Sequence, residues 1–98
     1  MSDLTSATAS LRELMPELSD RFGLSGLWVF GSYARGDQSA SSDLDVLIEF
    51  DRRGISLLEF VGLEQELGDR LGLRVDLVER DAIRPELRNS ILIDATAV

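Results

Sequence analysis

Leu27-Trp28-Val29-Phe30-Gly31-Ser32-Tyr33-Ala34-Arg35-Gly36 leads, through the polar and small segment 37–42, into Asp43-Leu44-Asp45-Val46-Leu47-Ile48-Glu49-Phe50. The first four residues are a short apolar run bounded by glycine, which reads as a buried strand. Gly31 to Arg35 turns directly into a short helix that Gly36 ends, and segment 37–42 is loop. From Asp43 the chain alternates. Leu44, Val46, Ile48 and Phe50 fall on one face of a strand, and Asp43, Asp45, Leu47 and Glu49 on the other.

The acidic face of that second strand carries the chemistry. Residues two apart in a strand point the same way, so Asp43 and Asp45 project side by side, with Cα atoms roughly 6–7 Å apart. A third strand at Leu73 to Val78 sets Arg74 and Asp76 opposite to Val75 and Leu77. If Asp76 faces the same side as Asp45, three carboxylates meet. Two such charges about 4 Å apart repel by roughly 4 kcal/mol at an effective dielectric of 20. A hard divalent cation is the natural compensator, and oxygen-only ligands suit Mg2+. Gly31-Ser32 supplies the complementary half. A strand that ends in glycine and turns into a helix exposes backbone N–H groups to an anion, and the Ser32 hydroxyl can donate to a phosphate oxygen. Taken singly, each part has a plain reading: a turn, a solvated strand edge, or, for Arg35, a surface arginine paired with Asp37.

Outward from this segment the pattern is simpler. Leu4, Leu11, Leu14, Leu18 and Phe22 recur at helical spacing, with a kink or restart expected at Pro16 and a stop at Gly23. Asp51-Arg52-Arg53-Gly54 reads as a turn. Ser56 and Glu59 form a capping box. The helix behind them is expected to put Leu57, Phe60, Val61, Leu63, Leu67 and Leu71 on one apolar face before Gly72. Pro85 opens a last helix through Leu87, Ile91 and Leu92, and the apolar residues from Ile91 to Val98 leave surface that a partner could cover. The order predicts an α/β (α+β) fold: a small mixed sheet of three or four strands flanked by helices, as one domain over residues 1–98.

Composition narrows the chemistry further. The chain has ten basic residues, all arginine, against eighteen acidic ones, for a net charge of −8, and no histidine or cysteine. No imidazole, lysine amine or thiolate is therefore available, and catalysis must rest on carboxylates, hydroxyls, arginines and bound metal. Such an acidic surface argues against broad nucleic-acid binding. No apolar run approaches the ~20 residues of a membrane span, and the start lacks the pattern of a signal peptide. A cytoplasmic domain that binds no membrane is expected.

Phe30-Gly31-Ser32-Tyr33-Ala34-Arg35-Gly36, Ser42-Asp43-Leu44-Asp45-Val46-Leu47, Leu71-Gly72, Val75-Asp76-Leu77-Val78 and Pro85-Glu86-Leu87-Arg88 together resemble the minimal nucleotidyltransferases of the polymerase-beta-like superfamily, over about residues 11 to 94. The resemblance implies the nucleotidyltransferase fold and transfer of a nucleoside monophosphate from a nucleoside triphosphate to an acceptor hydroxyl, with release of pyrophosphate. By the same resemblance, Asp43 and Asp45 hold two Mg2+ ions (Mn2+ being an alternative), and Asp76 completes the site on the acceptor side and helps deprotonate the hydroxyl. Gly31 and Ser32 bind the triphosphate tail, and Arg35 supports the loop or contacts phosphate. ATP as the nucleotide rests on the resemblance alone. Tyr33 is assigned no role.

Larger members of the superfamily carry a second helical domain, and the fold expected here consumes essentially the whole chain. The resemblance thus implies an acceptor brought by another molecule: a HEPN-domain ribonuclease toxin, AMPylated on a tyrosine, with this chain as its antitoxin in a type VII system. Two other readings stay open: a binding-only antitoxin without turnover, and an orphan transferase acting on a small molecule.

Overall fold

A computed structural model describes residues 3–51 and 54–98. Helix α1 (Leu4–Phe22) is capped by the Asp3 carboxylate, which accepts from the Ser6 N–H at 2.8 Å. It runs through Pro16 as one helix, so the expected restart does not occur. Proline forfeits one backbone hydrogen bond. Burial of Leu11, Leu18 and Phe22 on both sides of it carries the helix across.

Strand β1 (Leu24–Phe30) leads into α2 (Gly31–Arg35), and β2 (Leu44–Phe50) follows the loop. Helix α3 (Leu57–Leu71) begins at the Ser56–Glu59 capping box, with Glu59 N–H to Ser56 Oγ and Ser56 N–H to Glu59 Oε1 both at 3.1 Å. Strand β3 (Val75–Glu79), one 3-10 turn (Arg80–Ala82), α4 (Pro85–Asp94, with proline in its first turn) and β4 (Thr96–Ala97) complete the chain. The turn read over Asp51–Gly54 has Arg52 and Arg53 outside the described residues.

The sheet order is β3-β2-β1-β4, with β1 antiparallel to both β2 and β4 and β2 parallel to β3. This is the mixed, helix-flanked sheet that the sequence predicts, with four strands. The core lies on one face, where Leu11 and Leu18 of α1 and Leu63 and Leu67 of α3 meet Val29, Leu44, Val46, Ile48 and Leu77. Arg21 grips Glu66 through two hydrogen bonds, 2.7 and 3.0 Å, and Arg70 reaches Glu17 at 2.7 Å, so α1 and α3 are also joined at the rim.

Two expectations about packing need correction. The apolar pattern puts Leu57 and Val61 on the buried face of α3, yet they are 79% and 47% exposed. At 100° per residue, Val61 lies about 160° around the helix from Leu63, which does face the core. Leu47, placed on the acidic face of β2, is fully buried. The other face of the sheet is thus covered too at this point: the Arg80 guanidinium lies 5.3 Å above the Trp28 ring, next to Leu47 in the β1–β2 register, and Ile83, just beyond that turn, is buried outside the main core. Near the end of the chain Leu92 and Ile93 stay exposed while Val98 packs against the core. Among the described residues no helix is long and apolar enough to cross a membrane.

Candidate active site

Strand pairing assembles the site. In the antiparallel β1–β2 ladder Phe30 pairs with Asp45, which brings the end of β1 beside the start of β2. In the parallel β2–β3 ladder Asp45 pairs with Asp76. Gly31, Asp45 and Asp76 therefore lie in a line across the sheet. Paired residues share a face. That face is the one away from the α1–α3 core, because the adjacent Val46 and Leu77 point into the core.

Gly31 has a positive φ of 72°, a conformation that glycine adopts without strain. A Cβ at this position would overlap the Asp45 carboxylate, whose Cγ lies 3.1 Å from where the Cβ would sit. Bare backbone thus stands directly against the Asp45 carboxylate. Ser32 is half-buried in the first turn of α2 and its carbonyl accepts from Asp37 N–H at 3.0 Å, which closes the loop behind it.

The electrostatics of the pair follow from its placement. Burial pushes the Asp45 carboxyl up to about 6; the charges of Asp76 and Asp43 push in the same direction and Arg35 opposes them. Asp76 is raised as well, first by desolvation and then by Glu64 and Asp43. The two carboxylates stand on one rung of the β2–β3 ladder, so each is exposed to the other's charge. Burial and the neighbouring carboxylates thus outweigh the one positive charge, Arg35, that acts on Asp45.

The other predicted residues are placed less uniformly. Asp43 precedes β2, and its Oδ1 pairs with Arg74 Nε at 3.0 Å. Arg74 also donates to the Ser41 carbonyl at 3.1 Å. Among the described residues, no three acidic side chains are already drawn together as a metal site. Arg35 donates to Asp37 at 3.2 Å and to Asp94 at 2.7 Å, tying α2 to its own loop and to α4. The Asp37 partner is the one its plain surface reading names. The donor set nonetheless fits a hard divalent ion: aligned carboxylates, oxygen atoms only, and an unmet negative charge.

Two residues gained a place that the sequence did not give them. Tyr33, assigned nothing, is buried to 3% exposure and belongs to the core. It is the single large apolar side chain of α2, which is the sequence signal that could have found it. Glu64 of α3 accepts from the backbone N–H of Leu77 at 2.8 Å, beside Asp76. In the sequence it is one acid among several between the apolar positions of α3, and nothing marks it.

Comparison with known proteins agrees with this geometry. The family model described as "Nucleotidyltransferase domain" matches residues 11–98. The protein adenylyltransferase MntA of Thermococcus cleftensis is 42% identical over 82 residues, covering 84% of this chain and 82% of that protein. A solved structure of a proposed minimal nucleotidyltransferase superposes with a TM-score of 0.78 at 38% identity, over 99% of this chain and 97% of that one. A chain from the complex of a tri-AMPylated Shewanella oneidensis HEPN toxin with its MNT antitoxin shares the fold, with a TM-score of 0.71 at 20% identity, over 93% of this chain and 70% of that one. With the glycine–serine turn at the end of β1, Asp45 on β2 and Asp76 beside it on β3, the chain belongs to the nucleotidyltransferase-domain family and is an enzyme of that class.

Proposed function

We propose that the protein transfers AMP from ATP to a hydroxyl of a partner protein, a tyrosine of a HEPN-domain toxin, and acts thereby as its antitoxin. The observation that carries the reading is the Asp45–Asp76 pair standing beside the bare backbone of Gly31. Adenylyl transfer to a protein is supported by the name of the Thermococcus relative. A toxin partner is supported by the HEPN complex whose chain shares this fold.

Gly31 and Ser32 hold the triphosphate tail through backbone N–H groups and the serine hydroxyl. Asp43, Asp45 and Asp76 would hold two Mg2+ ions, or Mn2+ in their place. When bound, the ions lower the pKa of the acceptor hydroxyl and neutralise charge on the departing pyrophosphate. The Asp43–Arg74 pair is exposed, and pairs of this kind are weak enough for a cation to displace. Asp76 accepts the proton of the attacking hydroxyl. The hydroxyl oxygen bonds to the α-phosphorus as the bond from that phosphorus to the bridging oxygen breaks, and pyrophosphate leaves. Phosphoryl-type transfer asks mainly for positioning and charge stabilisation, so the lack of histidine is no obstacle.

One specific observation favours the competing reading, a binding-only antitoxin: Asp43 is engaged by Arg74 rather than gathered with the other two aspartates. One assay separates the readings. The protein is incubated with labelled ATP, Mg2+ and a HEPN partner encoded beside it, and the partner is analysed by mass spectrometry. Transfer predicts label on a partner tyrosine that is lost in Asp43→Ala and Asp45→Ala. Full neutralisation of the toxin by both variants, with no label from the wild type, overturns transfer and leaves binding alone. Label on small hydroxyl compounds but not on the partner points to the orphan transferase.

A further inference from the structure

A cleft of about 620 Å³ opens between the second half of α3 and the start of β3. Glu64, Gln65, Gly68 and Asp69 form its helix wall, and Asp43 and Arg74 form the wall shared with the carboxylate site. Its position follows from strand order. β1 lies on one side of β2 and β3 on the other, so Gly31-Ser32 and this cleft flank Asp45 from opposite sides. If the triphosphate tail occupies the β1 side, the acceptor approaches from the β3 side, where Asp76 stands.

The charge of the cleft is one-sided. Asp43, Glu64 and Asp69 are acidic and Arg74, 3.0 Å from Asp43, is the single cation, so the lining stays net acidic whether or not that pair is displaced. Among the described residues neither Glu64 nor Asp69 has an arginine partner, although Arg21, Arg35, Arg70 and Arg80 all have carboxylate partners. Glu64 accepts one hydrogen bond, from Leu77 N–H. A carboxylate has lone pairs to spare for a second donor. Through that bond Glu64 is fixed one residue along β3 from Asp76.

We propose that this cleft seats the acceptor-bearing segment of the partner protein, and that Glu64 and Asp69 select a segment with an arginine or lysine next to its accepting hydroxyl. This rests on the reading of the protein as a protein-modifying nucleotidyltransferase. The selection supplies register: a cation anchored on α3 fixes where the neighbouring hydroxyl falls relative to Asp76. Complementary charge of this kind governs specificity and encounter more than raw affinity.

The test uses the intact protein and two fluorescein-labelled peptides, Gly-Arg-Tyr-Arg-Gly and Gly-Glu-Tyr-Glu-Gly, with affinity read by fluorescence anisotropy. The wild type is expected to bind the arginine peptide on the order of ten-fold more tightly than the glutamate peptide. The double variant Glu64→Gln/Asp69→Asn should bring the ratio to about two-fold or less on the same scale. Glutamine at position 64 can still accept from Leu77 N–H, so the fold is spared, and Asp69→Asn alone, at an exposed position, should lower the ratio part of the way. A control, Glu13→Gln/Asp20→Asn on exposed α1, removes the same charge elsewhere and should leave the ratio unchanged. Equal or absent binding of both peptides by the wild type, a preference that survives in the double variant, or an equal loss in the control overturns the proposal. The reading it rests on is judged separately, by whether ATP with Mg2+ raises the melting temperature of the wild type and of the double variant but not of Asp45→Asn.

Discussion

Asp45 of β2 and Asp76 of β3 occupy the same rung of a parallel ladder, and the charge of Asp76 helps to hold the proton affinity of Asp45 up. A fold that presses two carboxylates together is less stable than one that does not, unless something binds between them. Its folded pKa of about 6 lies above the ordinary 3.8, so Asp45 keeps its proton in the native state while the unfolded chain loses it. Stability drawn from this group is therefore present at low pH and lost as pH rises between about 4 and 6.

Asp45→Asn should accordingly stabilise the metal-free protein at pH 7. After discounting for partial exposure, the gain is on the order of 1 kcal/mol, or about 4–8 °C in melting temperature for a domain of this size. The difference should shrink towards zero as the pH falls to about 4, where both proteins carry a neutral group at this position. Thermal melts of both proteins across that range in the presence of chelator check it. A constant difference at all pH values would show that the charge of Asp45 is not the cause.

Gly31→Ala should damage both fold and reaction. The methyl group faces the Asp45 carboxylate, and the positive φ adds strain of roughly 1–2 kcal/mol for a residue with a side chain. The variant should melt several degrees lower and lose nearly all nucleotidyl transfer. Its stabilisation by Mg2+ and ATP, measured by thermal shift, should fall with the activity. Full activity with a merely lowered melting point would separate Gly31 from the site.

The phase of α3 has a direct check. Leu63→Ala removes a fully buried side chain and should cost about 2–5 kcal/mol. Leu58→Ala, at 85% exposure, should stay within about 0.5 kcal/mol of the parent protein. Denaturant titrations of the two variants distinguish them readily.

Arg35→Ala removes two ion pairs, to Asp37 and to the more buried Asp94. Only a small loss of stability is expected, because the guanidinium is exposed. The positive charge of Arg35 also holds the proton affinity of Asp45 down. The rise of activity with pH should therefore move to higher pH in this variant, and a pH–rate profile reads the shift. An unmoved profile with a raised KM for ATP would instead make Arg35 a phosphate contact.

The meeting of Gly31, Asp45 and Asp76 is legible in the sequence because strand geometry is local. Asp45 was readable from its alternation with Leu44 and Val46, and Asp76 from its place between Val75 and Leu77. Their meeting needed only one parallel register, and Gly31 needed only to end a strand. What stayed hidden depends on partners distant along the chain. Leu47 looks solvent-facing because Arg80, which lies over its cross-strand neighbour Trp28, comes some thirty residues later. Arg35 showed its neighbour Asp37 but not Asp94, at a separation of 59 residues. Strand β4 has two residues, too few for any periodicity. Val61 and Leu57 were counted as core because apolar residues abound in α3, whereas helical phase decides which of them turn inward.

The bond from Leu77 N–H to Glu64 also bears on how the molecule meets its neighbours. β3 is an outer strand of the sheet, and an outer strand with free amides invites a foreign strand to pair with it. Here the protein's own helix takes up that amide at mid-strand, and on the opposite border β4 lies along β1. Continuous strand addition is thereby blocked where β3 carries Asp76. A partner must engage this side through its side chains, which leaves the carboxylate rung open to a projecting hydroxyl instead of sealed beneath another backbone.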